Sequence, residues 1–167
     1  MEVKVKVRLT EKELFGFLMH HTYSSMSGII GVVLSICAFI GFFYMLKMPN
    51  VNSVYLVALF VTGLLFTVVQ PAMIYYKAKK QTKANAELED ALQYTIGLSG
   101  VGVEQGDRTG FSTWDEIVKV TTTKNLMMLY TSRVHAYVIP KKNVEDQLDE
   151  LKDIIRTNCH AGYIKLK

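Results

Sequence analysis

The sequence predicts an α+β membrane protein, in which a transmembrane α-hairpin joins a small antiparallel β-sheet or partial barrel that is closed by a C-terminal helix. Two runs without Asp, Glu, Lys or Arg, residues 27–46 and 53–76, predict the hairpin. Short β-prone runs between turn residues, followed by one amphipathic helical pattern, predict the second part. All 19 basic and 15 acidic residues lie outside the apolar runs, which excludes a wholly soluble, a disordered or a disulfide-stapled secreted protein.

Each apolar run is long enough to cross a bilayer, because about 20 helical residues span a hydrocarbon core of about 30 Å. Two buried helices of a soluble core are the alternative, but uncharged runs of this length are typical of membrane proteins. A signal peptide fits poorly, since the residues before the first run include Glu2, Glu11 and Glu13. The segment Lys47–Asn52, which contains a Pro-Asn turn signal, connects the runs and predicts a tight hairpin.

Basic residues flank the hairpin on the side of both chain ends, while the connecting loop carries one charge, Lys47. The cluster after the second run consists of Lys77, Lys79, Lys80 and Lys83, and the cluster before the first run consists of Lys4, Lys6, Arg8 and Lys12. Because basic residues accumulate on the cytoplasmic side of membrane helices, the pattern predicts a multi-pass protein with cytoplasmic N- and C-termini. The cluster at 77–83 is also a candidate site for anionic lipid headgroups, at about 1 kcal/mol per lysine.

Small residues recur at helical spacing on the first run, at Ser27, Gly31 and Ser35. Such a stripe lets a second helix backbone approach closely. Packing within the hairpin is one interpretation, and contact with another membrane protein or a second copy of the chain is the other. In the second run, Pro71 removes a backbone N–H and predicts a kink beside Gln70.

The N-terminal residues 2–9 alternate apolar and charged side chains, which predicts a half-buried strand. Thr10 and Glu13 form a capping-box pattern that starts a helix. Because an isolated strand is unstable, we expect the three valines to pair with a sheet formed later in the chain; these are Val3, Val5 and Val7. The predicted regions are an N-terminal strand and helix at 1–26, the hairpin at 27–76 and a cytoplasmic α+β domain at 77–167.

A polar helix at about residues 77–92 is expected to lead into the sheet. Six predicted strands follow, at Tyr94–Leu98, Gly102–Gln105, Thr109–Ser112, Ile117–Thr123, Leu126–Thr131 and Val134–Ile139. Pro140 ends the last strand, and Asn143 is expected to cap the final helix, with Asp146 at its third position. The apolar face of that helix consists of Val144, Leu148, Leu151, Ile154 and Ile155.

Three short motifs follow the apolar runs: Gly102-Val103-Glu104, Thr113-Trp114-Asp115-Glu116-Ile117 and Ala136-Tyr137-Val138-Ile139-Pro140-Lys141. In this order they resemble the YcxB-like family of bacterial membrane proteins, most specifically over about residues 90–157. The resemblance implies a bacterial inner membrane, two transmembrane helices and a pleckstrin-homology-like C-terminal domain. It supplies no catalytic residues.

The chain shows no motif for catalysis, a cofactor or a metal site. Cys37 and Cys159 are isolated in sequence, and the adjacent His20 and His21 would point about 100° apart on a helix, which suits no shared metal. Residues 77–167 carry 14 basic and 12 acidic residues, a balance that disfavours nucleic-acid binding. We therefore expect a protein that is not an enzyme and that holds no cofactor, metal or nucleic acid.

Trp114 is the single tryptophan and has two interpretations. It is either a core anchor of the sheet or an exposed aromatic residue that recognises a peptide or lipid. The function we expect is that of a non-enzymatic, membrane-anchored binding or scaffold module, which contacts lipid headgroups or another membrane protein. The alternative is a small immunity or envelope-stress resistance protein that acts against a membrane-active peptide.

Overall fold

The computed structural model describes residues 2–86 and 91–166. The chain divides into two compact units: a sheet unit, Met1–Glu13 with Ala84–Lys167, and a helical unit, Leu14–Lys83. The sheet unit is therefore discontinuous in sequence, because the helical unit is inserted after its first strand.

The helical unit contains two long apolar helices. The described helices are α1, Glu11–Tyr23; α2, Met26–Met45; α3, Ser53–Leu64; and α4, Gln70–Ala86, with a π-helical turn, Leu65–Val69, joining α3 to α4. By length and composition, α2 and the continuous helix that includes α3 and α4 are apolar enough to cross a membrane. The predicted bounds of the first helix lie within one residue of the observed ones, and the second helix begins at residue 53 as predicted but continues past residue 76.

Local side-chain caps set where these helices begin. The predicted capping box is present before α1, since Thr10 N–H donates to Glu13 Oε2 at 2.8 Å and Glu13 N–H donates to Thr10 Oγ1 at 3.3 Å. In the α2–α3 loop, Asn50 adopts a positive φ of 61°, a conformation that asparagine tolerates better than most residues. Asn52 then accepts a hydrogen bond from Val54 N–H at 3.0 Å and caps α3.

The polar helix predicted at 77–92 differs from the structure in two ways. It is the continuation of the second apolar helix, and it extends to Ala86 as part of α4. Residues 87–90 lie outside the described residues, and Leu92 already begins a strand. The continuity follows from the absence of any helix-breaking residue between Pro71 and Ala86.

Eight strands are described in the sheet unit, and they form two four-stranded sheets. The first sheet contains β1, Glu2–Val7; β2, Leu92–Gly97; β3, Gly100–Gln105; and β4, Arg108–Thr113, in that order and all antiparallel. The second has the order β7-β6-β5-β8, with β5, Lys119–Thr122; β6, Leu126–Tyr130; β7, Ala136–Pro140; and β8, Ile164–Lys165. β8 pairs with β5 in parallel and had no predicted counterpart.

The N-terminal strand lies at the edge of the first sheet, beside β2. Val3 is opposite Ile96 and Val5 is opposite Tyr94. The alternating sequence places its valines on the buried face and its charged residues on the exposed face, as the period of two residues in a strand requires.

One apolar core holds the sheet unit together. Its buried members come from both sheets and from the final helix: Val3, Val5, Val7, Tyr94, Ile96, Val101, Trp114, Ile117, Val120, Met127, Leu129, Ile139, Val144, Leu151, Ile154, Ile155 and Cys159. Of the predicted helix face, Leu148 is partly buried and packs against this core.

The predicted antiparallel strands are present, but the described strands form two four-stranded sheets and no closed barrel. β4 and β7 are the facing edges, and no backbone ladder joins them within the described residues. A side-chain hydrogen bond between Ser112 Oγ and Tyr137 OH, 2.9 Å long, links the two strands.

The final helix also begins later than predicted. Lys141–Asn143 and Glu145–Gln147 form two short 3-10 turns, and the helix, α5, spans Leu148–Asn158. Asn143 therefore does not cap it. Instead, the Asn143 side-chain amide donates to the backbone carbonyl of Lys6 at 2.8 Å, so this side chain stabilises the end of β1.

Candidate functional site

The four lysines of the predicted lipid site lie on one side of α4. All four are exposed: Lys77, Lys79, Lys80 and Lys83. At 100° per residue they cover an arc of about 160°. The opposite side of the helix carries Ile74 and Ala78, which are only 9% and 0% exposed. The lysines thus form a cationic face, which we call the α4 lysine face, directed away from the buried side of the helix.

A second group of basic residues gathers in the sheet unit, at the end of the first sheet where β1 finishes and β2 starts. Val7 lies opposite Leu92 there. The β3–β4 hairpin turns at the same end, where Gln105 is paired with Arg108. The chain therefore leaves β1 and enters β2 at this end.

Two loops of the second sheet reach the same end through long-range hydrogen bonds. Lys141 N–H donates to Asn125 O at 2.9 Å, and Asn143 donates to Lys6 O. We call this surface the basic end; its cationic residues are Lys6, Arg8, Arg108, Lys124, Lys141 and Lys142. The carboxylates at this surface include Asp107, in the β3–β4 turn, and Glu13, which is paired with Lys142.

One ion pair orders part of the basic end. Lys142 Nζ lies 2.8 Å from Glu13 Oε1. Burial raises the pKa of Glu13, but hydrogen bonds from Lys142 and Thr10, with the positive charge of Lys142, outweigh that effect and hold the pKa below its usual value. The pair therefore contributes stability at neutral pH, and the contribution is lost as the pH falls through the pKa of Glu13.

Lys141 has a different environment from its neighbour. Burial lowers its pKa, and the nearby positive charge of Lys152 lowers it further. Burial and a nearby like charge both favour the uncharged amine of Lys141 over its ammonium form.

The outer face of the first sheet carries a shallow groove that sequence reasoning did not identify. The groove has a volume of about 780 Å³. Gly97, Gly100 and Gly102 line it without side chains, and the exposed Leu98 and Phe111 flank it. Gly100 adopts a φ of +152°, and a Cβ there would meet Ser112 O and the Phe111 ring. The close spacing of these three glycines was the sequence signal that could have indicated the groove.

Trp114 lies in the core and is 5% exposed. It begins a short 3-10 turn, Trp114–Glu116, between β4 and β5. Its indole N–H donates to Gly97 O at 3.0 Å, which satisfies its only polar group. In this conformation the ring offers no open face to a lipid or peptide.

The small-residue stripe of α2 is divided between two environments. Gly31 and Ser35 are buried, whereas Ser27 is exposed. A Cβ on Gly31 would collide with the Phe66 ring, and one on Gly63 would lie 2.8 Å from the Phe39 ring. This geometry corresponds to packing within the hairpin, and it leaves Gly31 and Ser35 no open surface for a second copy.

Metal-binding groups do not converge in the described part of the chain. Within residues 2–86 and 91–166, no cluster of three His, Cys, Asp or Glu side chains is placed to hold a metal ion. Cys37 and Cys159 are free thiols, one exposed and one buried.

The comparisons with known proteins agree with the resemblance seen in the motifs. The model of the YcxB-like protein family matches residues 97–155, a segment from the end of β2 into α5. The chain is similar to the uncharacterized protein YcxB of Bacillus subtilis (strain 168), with 28% identity over 109 residues. The match covers 64% of this chain and 59% of that protein, less than two thirds of its length. No solved structure matches the chain.

Proposed function

We propose that the protein is a non-enzymatic, membrane-anchored binding module at the cytoplasmic face of a bacterial inner membrane, where it contacts anionic lipid headgroups. The α4 lysine face is the observation that carries the proposal. It follows directly in sequence on the apolar part of the second long helix, at the position where a membrane helix meets the headgroups.

The exposure of the apolar helices supports the membrane anchor. The most apolar windows of the two helices have mean hydropathies of 2.3 and 2.0, and only 22% and 11% of these windows is buried. A core helix of a soluble protein is mostly buried, because exposed apolar surface costs about 25 cal/mol per Å² in water. Hydrocarbon would remove that cost along both helices.

The charge distribution of the sheet unit supports a lipid partner. The described part of the basic end contains the six cationic residues named above, and the carboxylates beside them include Asp107 and Glu13, the second of which is paired with Lys142. The opposite end, where β4 leads into β5, carries both Asp115 and Glu116. Attraction to an anionic headgroup surface contributes about 1 kcal/mol of binding free energy per nearby lysine or arginine. We therefore propose the basic end as the second lipid contact. The pleckstrin-homology-like fold belongs to the same proposal.

The experiment measures which lipids the full chain retains. The protein is reconstituted in nanodiscs that contain phosphatidylcholine and phosphatidylglycerol, extracted in mild detergent, and its bound lipids are quantified by mass spectrometry. We expect the native chain to be enriched in phosphatidylglycerol, with the enrichment falling as salt is added. Replacing the four lysines of the α4 lysine face with glutamine should remove most of this enrichment.

A charge-matched variant provides the control. Lys4, Lys119, Arg133 and Lys165 lie outside both proposed contacts, so their replacement by glutamine should leave the enrichment unchanged. A native chain that retains both lipids in the proportions supplied contradicts the proposal. Equal losses in the two variants would mean that net charge, and not the α4 lysine face, determines lipid choice.

A further inference from the structure

The second long helix contains a break in its hydrogen bonding at the π-helical turn. Gln70 N–H donates to Leu65 O, five residues back. In an α-helix it would donate to Phe66 O instead. If the π-helix continued, the N–H of residue 71 would donate to Phe66 O. That residue is Pro71, and proline has no N–H. Neither backbone donor is therefore available to the Phe66 carbonyl.

The hydroxyl group of Tyr23 takes the place of the missing donor. Tyr23 OH donates to Phe66 O at 2.6 Å, across 43 positions of sequence. Tyr23 is the last residue of α1, so the bond joins the end of one helix to the interrupted turn of another. A tyrosine hydroxyl is protonated at neutral pH and can donate, and burial raises the pKa of Tyr23 further.

Close packing fixes both partners of this bond. At the α1–α2 junction, Ser25 Oγ donates to Thr22 O at 2.6 Å and accepts from Gly28 N–H at 3.1 Å. A Cβ on Gly28 would collide with Thr22 O. This junction determines where Tyr23 lies. The Phe66 ring packs on Gly31, as described above, so the side chain and the carbonyl of Phe66 are held by different helices.

We propose that Tyr23 is a latch, which holds closed a hinge that Pro71 creates in the second long helix at residues 65–71. Proline and π-turns are two common sources of a sharp helix bend, and both occur here. Gln70 Oε1 is buried next to the turn and has no hydrogen-bond partner, so the closed form leaves a polar group that a rearranged turn can satisfy. Displacement of the end of α1 breaks the Tyr23–Phe66 bond and frees the hinge.

A double-mutant cycle on the full chain in detergent tests the latch. The four proteins are the native chain, Tyr23→Phe, Pro71→Ala and the double variant. In the native background, we expect Tyr23→Phe to lower the thermal midpoint and to accelerate deuterium exchange of the Gln70 amide. In the Pro71→Ala background, Phe66 O gains a backbone donor. That donor is the new N–H at position 71 if the π-turn persists, or Gln70 N–H if the turn becomes α-helical. Tyr23→Phe should therefore have little effect there.

The proposal is overturned if Tyr23→Phe changes neither quantity in the native background, or changes both equally in the two backgrounds. Tyr44→Phe is the matched control, because Tyr44 is exposed near the end of α2 and the same hydroxyl is removed. If Pro71→Ala fails to fold, Pro71→Leu restores the same N–H and completes the cycle. This test does not depend on lipid binding.

Discussion

Trp114 shows how one side chain connects the two sheets of the sheet unit. The residue follows β4, the last strand of the first sheet, and precedes β5, the first strand of the second. Its ring is buried, and its N–H donates to the Gly97 carbonyl at the end of β2. The turn is fixed locally as well, since Glu116 Oε2 accepts from Thr113 N–H at 3.0 Å. A core role follows from these contacts.

Two substitutions at this residue separate its packing from its hydrogen bond. Trp114→Ala should lower the free energy of unfolding by about 3–5 kcal/mol, the usual cost of a large core truncation. Trp114→Phe should cost less, because it keeps much of the packing and loses a bond worth about 0.5–1.5 kcal/mol. Chemical denaturation of the full chain followed by circular dichroism measures both. A stable Trp114→Ala variant that no longer retains phosphatidylglycerol would instead identify Trp114 as a recognition residue.

The strands of the sheet unit were predictable because their signals are local. Alternation identified β1, and short turn sequences, some of which contain glycine, delimited the strands that follow. The start of α5 was not predictable, because the Asn143 side chain donates a hydrogen bond to Lys6 O, 137 positions away in sequence, and does not cap the helix. β8 is two residues long, too short for a periodic signal. Pro71 predicted the interruption near residue 71, but the hydrogen bond from Tyr23 OH to Phe66 O is a tertiary contact that no local pattern indicates.

The contribution of β1 is testable with two replacements by the same residue. Val5 is buried opposite Tyr94, whereas Lys4 is exposed on the other face of the strand. Val5→Gln buries an amide group that has no hydrogen-bond partner, which should lower the free energy of unfolding by about 1–3 kcal/mol. The loss of apolar packing adds to this cost. Lys4→Gln should change the free energy of unfolding by less than about 0.5 kcal/mol. The fluorescence of the single tryptophan, Trp114, reports unfolding of the sheet unit in both variants.

If both variants lost a similar amount of unfolding free energy, the buried valine face of β1 would not be the source of its contribution to stability. A selective loss in Val5→Gln shows that residues from before and after the helical unit share one core. The sheet unit could then not fold until the whole helical insertion had been synthesised, because residues 8–91 separate the end of β1 from the start of β2.

At the scale of the whole molecule, the insertion of the helical unit constrains topology. β1 ends and β2 begins at the end of the first sheet where Val7 is paired with Leu92, so the chain leaves this sheet and re-enters it at the same end. If the helical unit is inserted in a membrane, as proposed, two crossings meet this condition, whereas one crossing would not. The even number of crossings was predicted from the charges and stays a prediction, while the basic end depended on long-range hydrogen bonds that no local pattern indicates.

The last prediction concerns the side of the membrane on which the sheet unit lies. The α2–α3 loop carries one charge, Lys47, while the lysines of α4 and the basic residues of β1 flank the other ends of the hairpin. Basic residues near helix ends resist translocation, so both termini should be cytoplasmic. Alkaline phosphatase fused after Lys167 should be inactive and a fluorescent protein at the same position should be bright, whereas alkaline phosphatase inserted after Pro49 should be active. Active phosphatase at the C-terminus would place the sheet unit outside the cytoplasm and remove the cytoplasmic headgroups as its partner.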